Sequence, residues 1–365
     1  MFCELLLVNI APFATRRFAQ ICAVAIVWAI AATSVQAQIG VASMVTSTSD
    51  LGNTNTNGTT FENTTISVSS FLDMAGNKYT ANTVASAAYV RRNTTAGNSN
   101  NTSAWYDEGS SATRFSAPYA TTDPSLLLGN NILRGSDNTF ANGTDATSGN
   151  IERLDFVFTS GIVVNSSTAF AVFDRGAVGA HDSVKIAVIT GWNSTTNQVT
   201  TYGGSLVGVT SSNYGTSNVV SDFTYNLFRY SNGDNLGGPG YWDSNTETGT
   251  QGIGGAIISM SDLGIAAGTT IYGYSLMGYD VTNGGSMSNL LDWNNTTYFK
   301  SDTTGATGTG GIDLSAVNGV LYNRVAPEPS TYGALFMGAM LGGWYLRRKF
   351  ARTGSELATV TAPAA

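Results

Sequence analysis

Val184-Lys185-Ile186-Ala187-Val188-Ile189 decides the reading of the fold. It begins by alternating apolar and polar residues, then turns continuously apolar, the pattern of a central strand buried on both faces. Leu154-Asp155-Phe156-Val157-Phe158 runs to a Ser160-Gly161 turn, and Ala169-Phe170-Ala171-Val172-Phe173 leads to Asp174-Arg175-Gly176. Downstream, Phe223-Thr224-Tyr225-Asn226-Leu227 alternates cleanly, and Thr270-Ile271-Tyr272-Gly273-Tyr274-Ser275-Leu276 reads as a late core strand. Short strands with turn signals every 8–12 residues or so predict a mostly β body, an antiparallel jelly-roll-like β-sandwich. The only helix expected inside the body is short, from Ser261 to Ala267, capped by Ser261 and stopped by Gly268.

Upstream of this core, residues 38–150 are dominated by Asn, Thr, Ser and Gly. Thr65-Ile66-Ser67-Val68 and Ala87-Ala88-Tyr89-Val90 stand out as strands between Asx-rich turns. This region and the core of 151–325 read as one domain. Ahead of them, residues 1–37 read as a secretory signal: Arg16-Arg17, an apolar run from Ile21 to Ala32, and Val35-Gln36-Ala37 as a small-x-small cleavage site.

Composition narrows the function. The chain has 365 residues, a net charge of −7, 11% charged residues and 42 glycines. Six of its 17 Lys and Arg lie near the ends, at Arg16, Arg17, Arg347, Arg348, Lys349 and Arg352. A nucleic-acid partner is disfavoured, because phosphate binding needs a basic surface. Both cysteines, Cys3 and Cys22, fall in the signal segment. The body therefore offers no disulfide, no thiol nucleophile and no Cys-based metal site, and a core of this size folds without them.

Candidate chemistry is sparse, and no catalytic residue, cofactor or metal site is assigned. His181 is the only histidine, and Asp182 follows it. Neighbours on a strand point to opposite faces and no nucleophile elbow accompanies them, so a hydrogen-bonded loop histidine is the stronger reading. Asp174, Asp182, Asp234 and Asp243 sit in turn-rich contexts suited to calcium, but no ligand spacing supports it. Glu62, Glu108, Glu152 and Glu247 form no recognisable glycosidase pair. Trp105, Trp192, Trp242 and Trp293 lie beside Gly, Asn, Asp or aromatic residues. They are candidates for stacking on sugar rings, against the plainer role of closing the ends of the core.

The C-terminal stretch is the most specific. Pro327-Glu328-Pro329 is a stiff non-helical joint, followed by Ser330 and Thr331. Tyr332 to Leu346 is uncharged and contains Gly338 and Gly342 in a GxxxG pair, and Arg347-Arg348-Lys349 forms a basic stop. The apolar run reaches about 22 Å as a helix, short of a bilayer core of about 30 Å. Adding Ser330 and Thr331 and letting the arginines snorkel leads to the expectation of a single C-terminal transmembrane helix, with 350–365 as a cytoplasmic tail.

Residues 326–349 resemble the PEP-CTERM sorting signal of Gram-negative bacteria. The resemblance implies that an exosortase in the inner membrane processes the tail and that the body goes to the cell surface or extracellular matrix. Phe173-Asp174-Arg175-Gly176 with Gly179-Ala180-His181-Asp182, Gly268 to Ser275, Leu291-Asp292-Trp293 and Gly311 to Leu314 resemble the body of PEP-CTERM proteins from Verrucomicrobia. That second resemblance brings no catalytic residues. Together they imply a structural or adhesive, non-enzymatic role in exopolysaccharide or biofilm. Two rivals stand beside it: a carbohydrate-binding module using the Trp residues, and a secreted polysaccharide hydrolase.

Overall fold

The computed structural model describes residues 38–50, 54–56, 59–61, 64–93, 102–107, 114–116, 127–128, 131–137, 139–140, 151–177, 179–215, 220–231, 241–300, 312–326 and 336–348. The signal segment, Pro327 to Thr331, Lys349 and the 350–365 tail lie outside them.

The first strands are β1 (Ile39–Asp50), β2 (Thr54–Thr56), β3 (Thr59–Phe61), β4 (Thr64–Asp73), β5 (Lys78–Val84) and β6 (Ala87–Arg92). They are followed by β7 (Thr102–Asp107), β8 (Arg114–Ser116), β9 (Gly135–Asp137), β10 (Ile151–Val163), β11 (Thr168–Gly176) and β12 (Val184–Asn193). The last are β13 (Gln198–Val209), β14 (Val220–Ser231), β15 (Tyr241–Ser259), β16 (Thr270–Gly278), β17 (Leu314–Ser315) and β18 (Val320–Arg324). Each of the strands expected from the alternating runs is present. The short helix expected from Ser261 is instead a turn: the Asp262 carboxylate accepts the Ser259 amide and hydroxyl, and Gly264 and Gly268 turn the backbone at positive φ.

The expected jelly-roll sandwich is corrected. Six antiparallel strands close on themselves in the order β1-β4-β5-β18-β11-β15 and back to β1, forming a barrel. β15 makes the closure. Its Ile257 pairs with Ala171 of β11 on one edge and Ile39 of β1 on the other. The N-terminal part of β15 runs on past the barrel to pair with β14 and β8. Closure removes the edges that an open sandwich leaves exposed.

A six-stranded barrel is narrow enough for side chains to fill it. Val41, Val68, Phe71, Tyr79, Phe173, Ile257 and Tyr322 fill it here, with at least one residue from every barrel strand. Phe71 is the hub, 4.7 Å from the Tyr322 ring, 5.3 Å from Tyr79 and 6.1 Å from Phe173.

The second sheet has five strands in the order β13-β12-β16-β10-β6. Its inner face presents Leu154, Phe156, Ile186, Val188, Tyr274 and Leu276 to Phe170, Val172, Ile258 and Leu321 on the outside of the barrel wall. Every residue of β11 is buried for this reason: its odd positions face the barrel interior and its even positions face the second sheet. The opposite face of the second sheet carries Val157, Ala187, Ile189 and Met277. Over it folds the 281–299 segment, through Val281, Leu290 and Phe299.

The expected transmembrane helix is also corrected. The helix at the C-terminus covers residues 336–348, thirteen residues and about 20 Å. No described helix is long and apolar enough to cross a membrane. Thirteen residues fall short of the roughly twenty that cross a bilayer core.

Candidate functional site

Two polar clusters are built into the body, and both begin with charged residues inserted into apolar strands. On β10, the two-residue repeat places Arg153, Asp155 and Val157 on the outer face of the second sheet while Leu154 and Phe156 point inward. On neighbouring β6, Asp155 pairs with Tyr89 and Arg153 with Arg91.

Asp155 is fully buried and its two oxygens are saturated. Oδ1 accepts from Arg153 Nε at 2.7 Å and from the Ser275 hydroxyl at 2.6 Å. Oδ2 accepts from Arg153 Nη2 at 3.1 Å and from Arg91 Nε at 2.8 Å. Because the Ser275 hydroxyl is spent on Asp155, the Tyr202 hydroxyl donates to Ser275 Oγ at 2.7 Å. Burial alone would raise the Asp155 carboxyl. Arg153 first, then Arg91, with the hydrogen bonds from Arg153 and Ser275, holds it below the ordinary carboxylate range. Burial likewise works against the charge on Arg153, and Asp155 more than restores it. Burial also pushes the Tyr202 hydroxyl well above its ordinary value, so it stays a neutral donor.

The 281–299 segment seals this cluster. Arg153 Nη1 donates to the Leu290 carbonyl at 2.5 Å. The Trp293 ring lies 4.9 Å from the Arg153 guanidinium and 5.2 Å from that of Arg91, and its N–H donates to the Arg92 carbonyl at 3.1 Å. On the other side of Arg91 lies Tyr89, 5.0 Å away, and Tyr89 packs against Trp192 at 5.3 Å. Tyr89, Trp192 and Trp293 are each half-buried. Asn197, in the β12–β13 hairpin, completes the wall. It holds a left-handed backbone at φ 52°, its side-chain oxygen accepts from the Tyr89 hydroxyl at 3.1 Å, and its carbonyl accepts from Arg91 Nη2.

The structure thus brings together two of the four candidate tryptophans, Trp192 and Trp293. The backbones of Trp105 and Trp242 lie in β7 and β15, where Trp105 pairs with Leu227 and Trp242 with Tyr230. Their side chains lie outside the described residues. Tyr89, Arg91, Arg153 and Asp155 were not singled out from sequence as site residues. The signal for them was there: Arg153 and Asp155, opposite charges two residues apart and alternating with the apolar Leu154 and Phe156, share one face of the strand and call for pairing when buried.

The second cluster holds the only histidine. His181 Nδ1 lies 3.1 Å from Oδ2 of Asp174 on β11, and both residues are buried. Asp174 also accepts the amides of Asp182 at 2.9 Å and Asp313 at 2.8 Å. Asp174, not the adjacent Asp182, is thus the residue that orients the imidazole. Burial raises the Asp174 carboxyl, and the hydrogen bonds from His181 and the two amides only partly oppose that. The imidazole packs on Tyr214 at 5.0 Å and against the backbone of Gly254, where an added Cβ would collide with Nε2. Backbone therefore occupies the space a substrate would need beside Nε2. The dyad ties β11 to the 179–182 loop and to the segment at Asp313.

Among the described residues, no three His, Cys, Asp or Glu side chains gather as a metal site. Asp234 and the Asp243 side chain lie outside those residues. When the chain is compared with known families, curated proteins and solved structures, no family model matches it and neither does any curated protein or solved structure.

Proposed function

We propose that the chain is an exported surface or matrix protein, sorted through its PEP-CTERM-like tail and structural or adhesive in exopolysaccharide. The observation carrying this reading is the 336–348 helix. Phe336, Met337, Met340, Leu341, Trp344, Tyr345 and Leu346 are all between 52% and 65% exposed. An apolar helix bare on every side makes no contribution to the body's core and calls for a cover from outside the chain. Placed after Pro327-Glu328-Pro329-Ser330-Thr331 and closed by Arg347-Arg348-Lys349, it suits a handle for an exosortase at the inner membrane. The body fits the same role: it is polar but weakly charged, and its two charged clusters tie strands and loops together. The test is the mass of the mature C-terminus in the native host. Loss of residues after the Pro-Glu-Pro joint is expected, and an intact Arg347-Arg348-Lys349 in the surface fraction would overturn the sorting reading.

A second reading, carbohydrate binding, is favoured by one observation. Tyr89, Trp192 and Trp293, far apart in sequence, line one half-exposed aromatic wall around Arg91.

A further inference from the structure

We infer that the cleft of Tyr89, Arg91, Trp192, Trp293 and Asn197 is a subsite for an acidic sugar of the uronate class within an extracellular polysaccharide. The inference rests on the carbohydrate-binding reading and names the chemistry of its ligand.

It starts from how the donors of Arg91 are used. Nε is committed to Asp155 and Nη2 to the Asn197 carbonyl. Nη1 has no acceptor among the described residues, yet it is not sealed from solvent. The residue as a whole is only 8% exposed, so the cation is largely buried. The triad beneath it holds two guanidiniums against one carboxylate, one positive charge in excess. A ligand carboxylate reaching Nη1 would supply the missing negative charge through a charge-assisted hydrogen bond in a site of low local dielectric. Arginine suits this role, being permanently charged and weakly hydrated.

The walls indicate what carries that carboxylate. The Tyr89 and Trp293 rings lie 5.0 and 5.2 Å from the Arg91 guanidinium, and Trp192 extends the wall from Tyr89 at 5.3 Å. Flat apolar rings beside one polar anchor suit a pyranose, whose C–H face stacks while its substituents are hydrogen-bonded at the rim. The site is held in advance: Tyr89 is fixed through its hydroxyl to Asn197, and Trp293 through its N–H to the Arg92 carbonyl. A nucleic acid or polyphosphate is a poor fit. It needs many cations, whereas the cleft supplies one free cationic nitrogen on a chain of net charge −7. That same negative charge means that retention of a polyanion would have to come from a specific site and not from bulk attraction.

The experiment uses the full chain in affinity electrophoresis through gels containing polygalacturonate, fully methyl-esterified polygalacturonate or dextran, at about 0.15 M salt. Retardation by polygalacturonate is expected, with binding about tenfold weaker on the ester, whose backbone is the same but whose carboxylate is gone. Trp192→Ala and Arg91→Gln are each expected to weaken polygalacturonate binding at least about fivefold. Equal retardation by acid and ester would overturn recognition of the acid. No retardation by either polymer would overturn the subsite, as would polygalacturonate binding unchanged in Trp192→Ala. Should Arg91→Gln fail to fold, the acid-against-ester comparison on the unaltered chain still decides. Retardation by the ester or by dextran equal to that by polygalacturonate would overturn the acidic subsite and leave the carbohydrate-binding reading standing, whereas no retardation by any of the three would overturn both.

Discussion

Nε of Arg91 on β6 lies 2.8 Å from Oδ2 of Asp155 on β10 and is one of four donors on that carboxylate. The pair joins an outer strand of the second sheet to its neighbour beneath a cover made by the 281–299 segment. It also leaves Nη1 of Arg91 without an acceptor among the described residues. A structural ion pair and a candidate recognition site thus share the same side chain.

Asp155→Asn strands two buried guanidiniums beside a neutral amide that can match neither of them. A loss of about 3–5 kcal/mol in unfolding free energy is expected, the cost of breaking a buried charge network by removing one partner. Urea denaturation measures it, and a loss under about 1 kcal/mol would show the triad to be better hydrated than its geometry implies. The pH dependence carries a definite sign. The folded-state carboxyl is held below its unfolded value, so its contribution is complete above about pH 4 and disappears as pH falls through the depressed folded value.

Asp174 has the opposite sign. Its carboxyl is raised in the folded state, so it favours folding below the ordinary carboxylate value and loses that contribution as pH rises through the raised one. The stability of the unaltered chain relative to Asp174→Asn is therefore expected to decline over that interval and level off above it. Urea midpoints for both chains between about pH 3 and pH 8 give the comparison. A difference that grows with pH would contradict the assignment.

Gly254→Ala is expected to destabilise by about 1–3 kcal/mol, because its Cβ would meet the buried His181 ring. Combined with His181→Ala, which vacates that space, the substitution at 254 should cost much less. A double-mutant cycle with additive losses would mean that the imidazole is not what the new methyl group strikes.

Removing residues 332–365 should leave the thermal midpoint of the body within about 1 °C, since the large apolar side chains of the 336–348 helix are exposed and join no core cluster among the described residues. On the sorting proposal, the same truncation should abolish delivery to the surface fraction in the native host. A large drop in the midpoint would place the tail in the body's core instead.

The alternating runs around Leu154, Phe170, Val188 and Tyr274 were enough to locate those strands and their apolar faces, because side-chain direction in a strand depends only on the local two-residue repeat. The absence of cysteine from the body and the isolation of His181 were equally plain in the residues themselves. Closure was not. Whether β15 ends an open sheet or joins β11 to β1 depends on Ile257 meeting both Ala171 and Ile39, contacts across 86 and 218 positions that no local pattern encodes. Tyr89, Trp192 and Trp293 likewise become one cleft only when β6, the β12–β13 hairpin and the 281–299 segment converge on Asp155. The sequence by itself determined which residues form strands and what chemistry the chain carries. Tertiary structure alone decided that the strands close into a barrel and that one arginine stands among three aromatic rings, because both depend on pairings between distant segments.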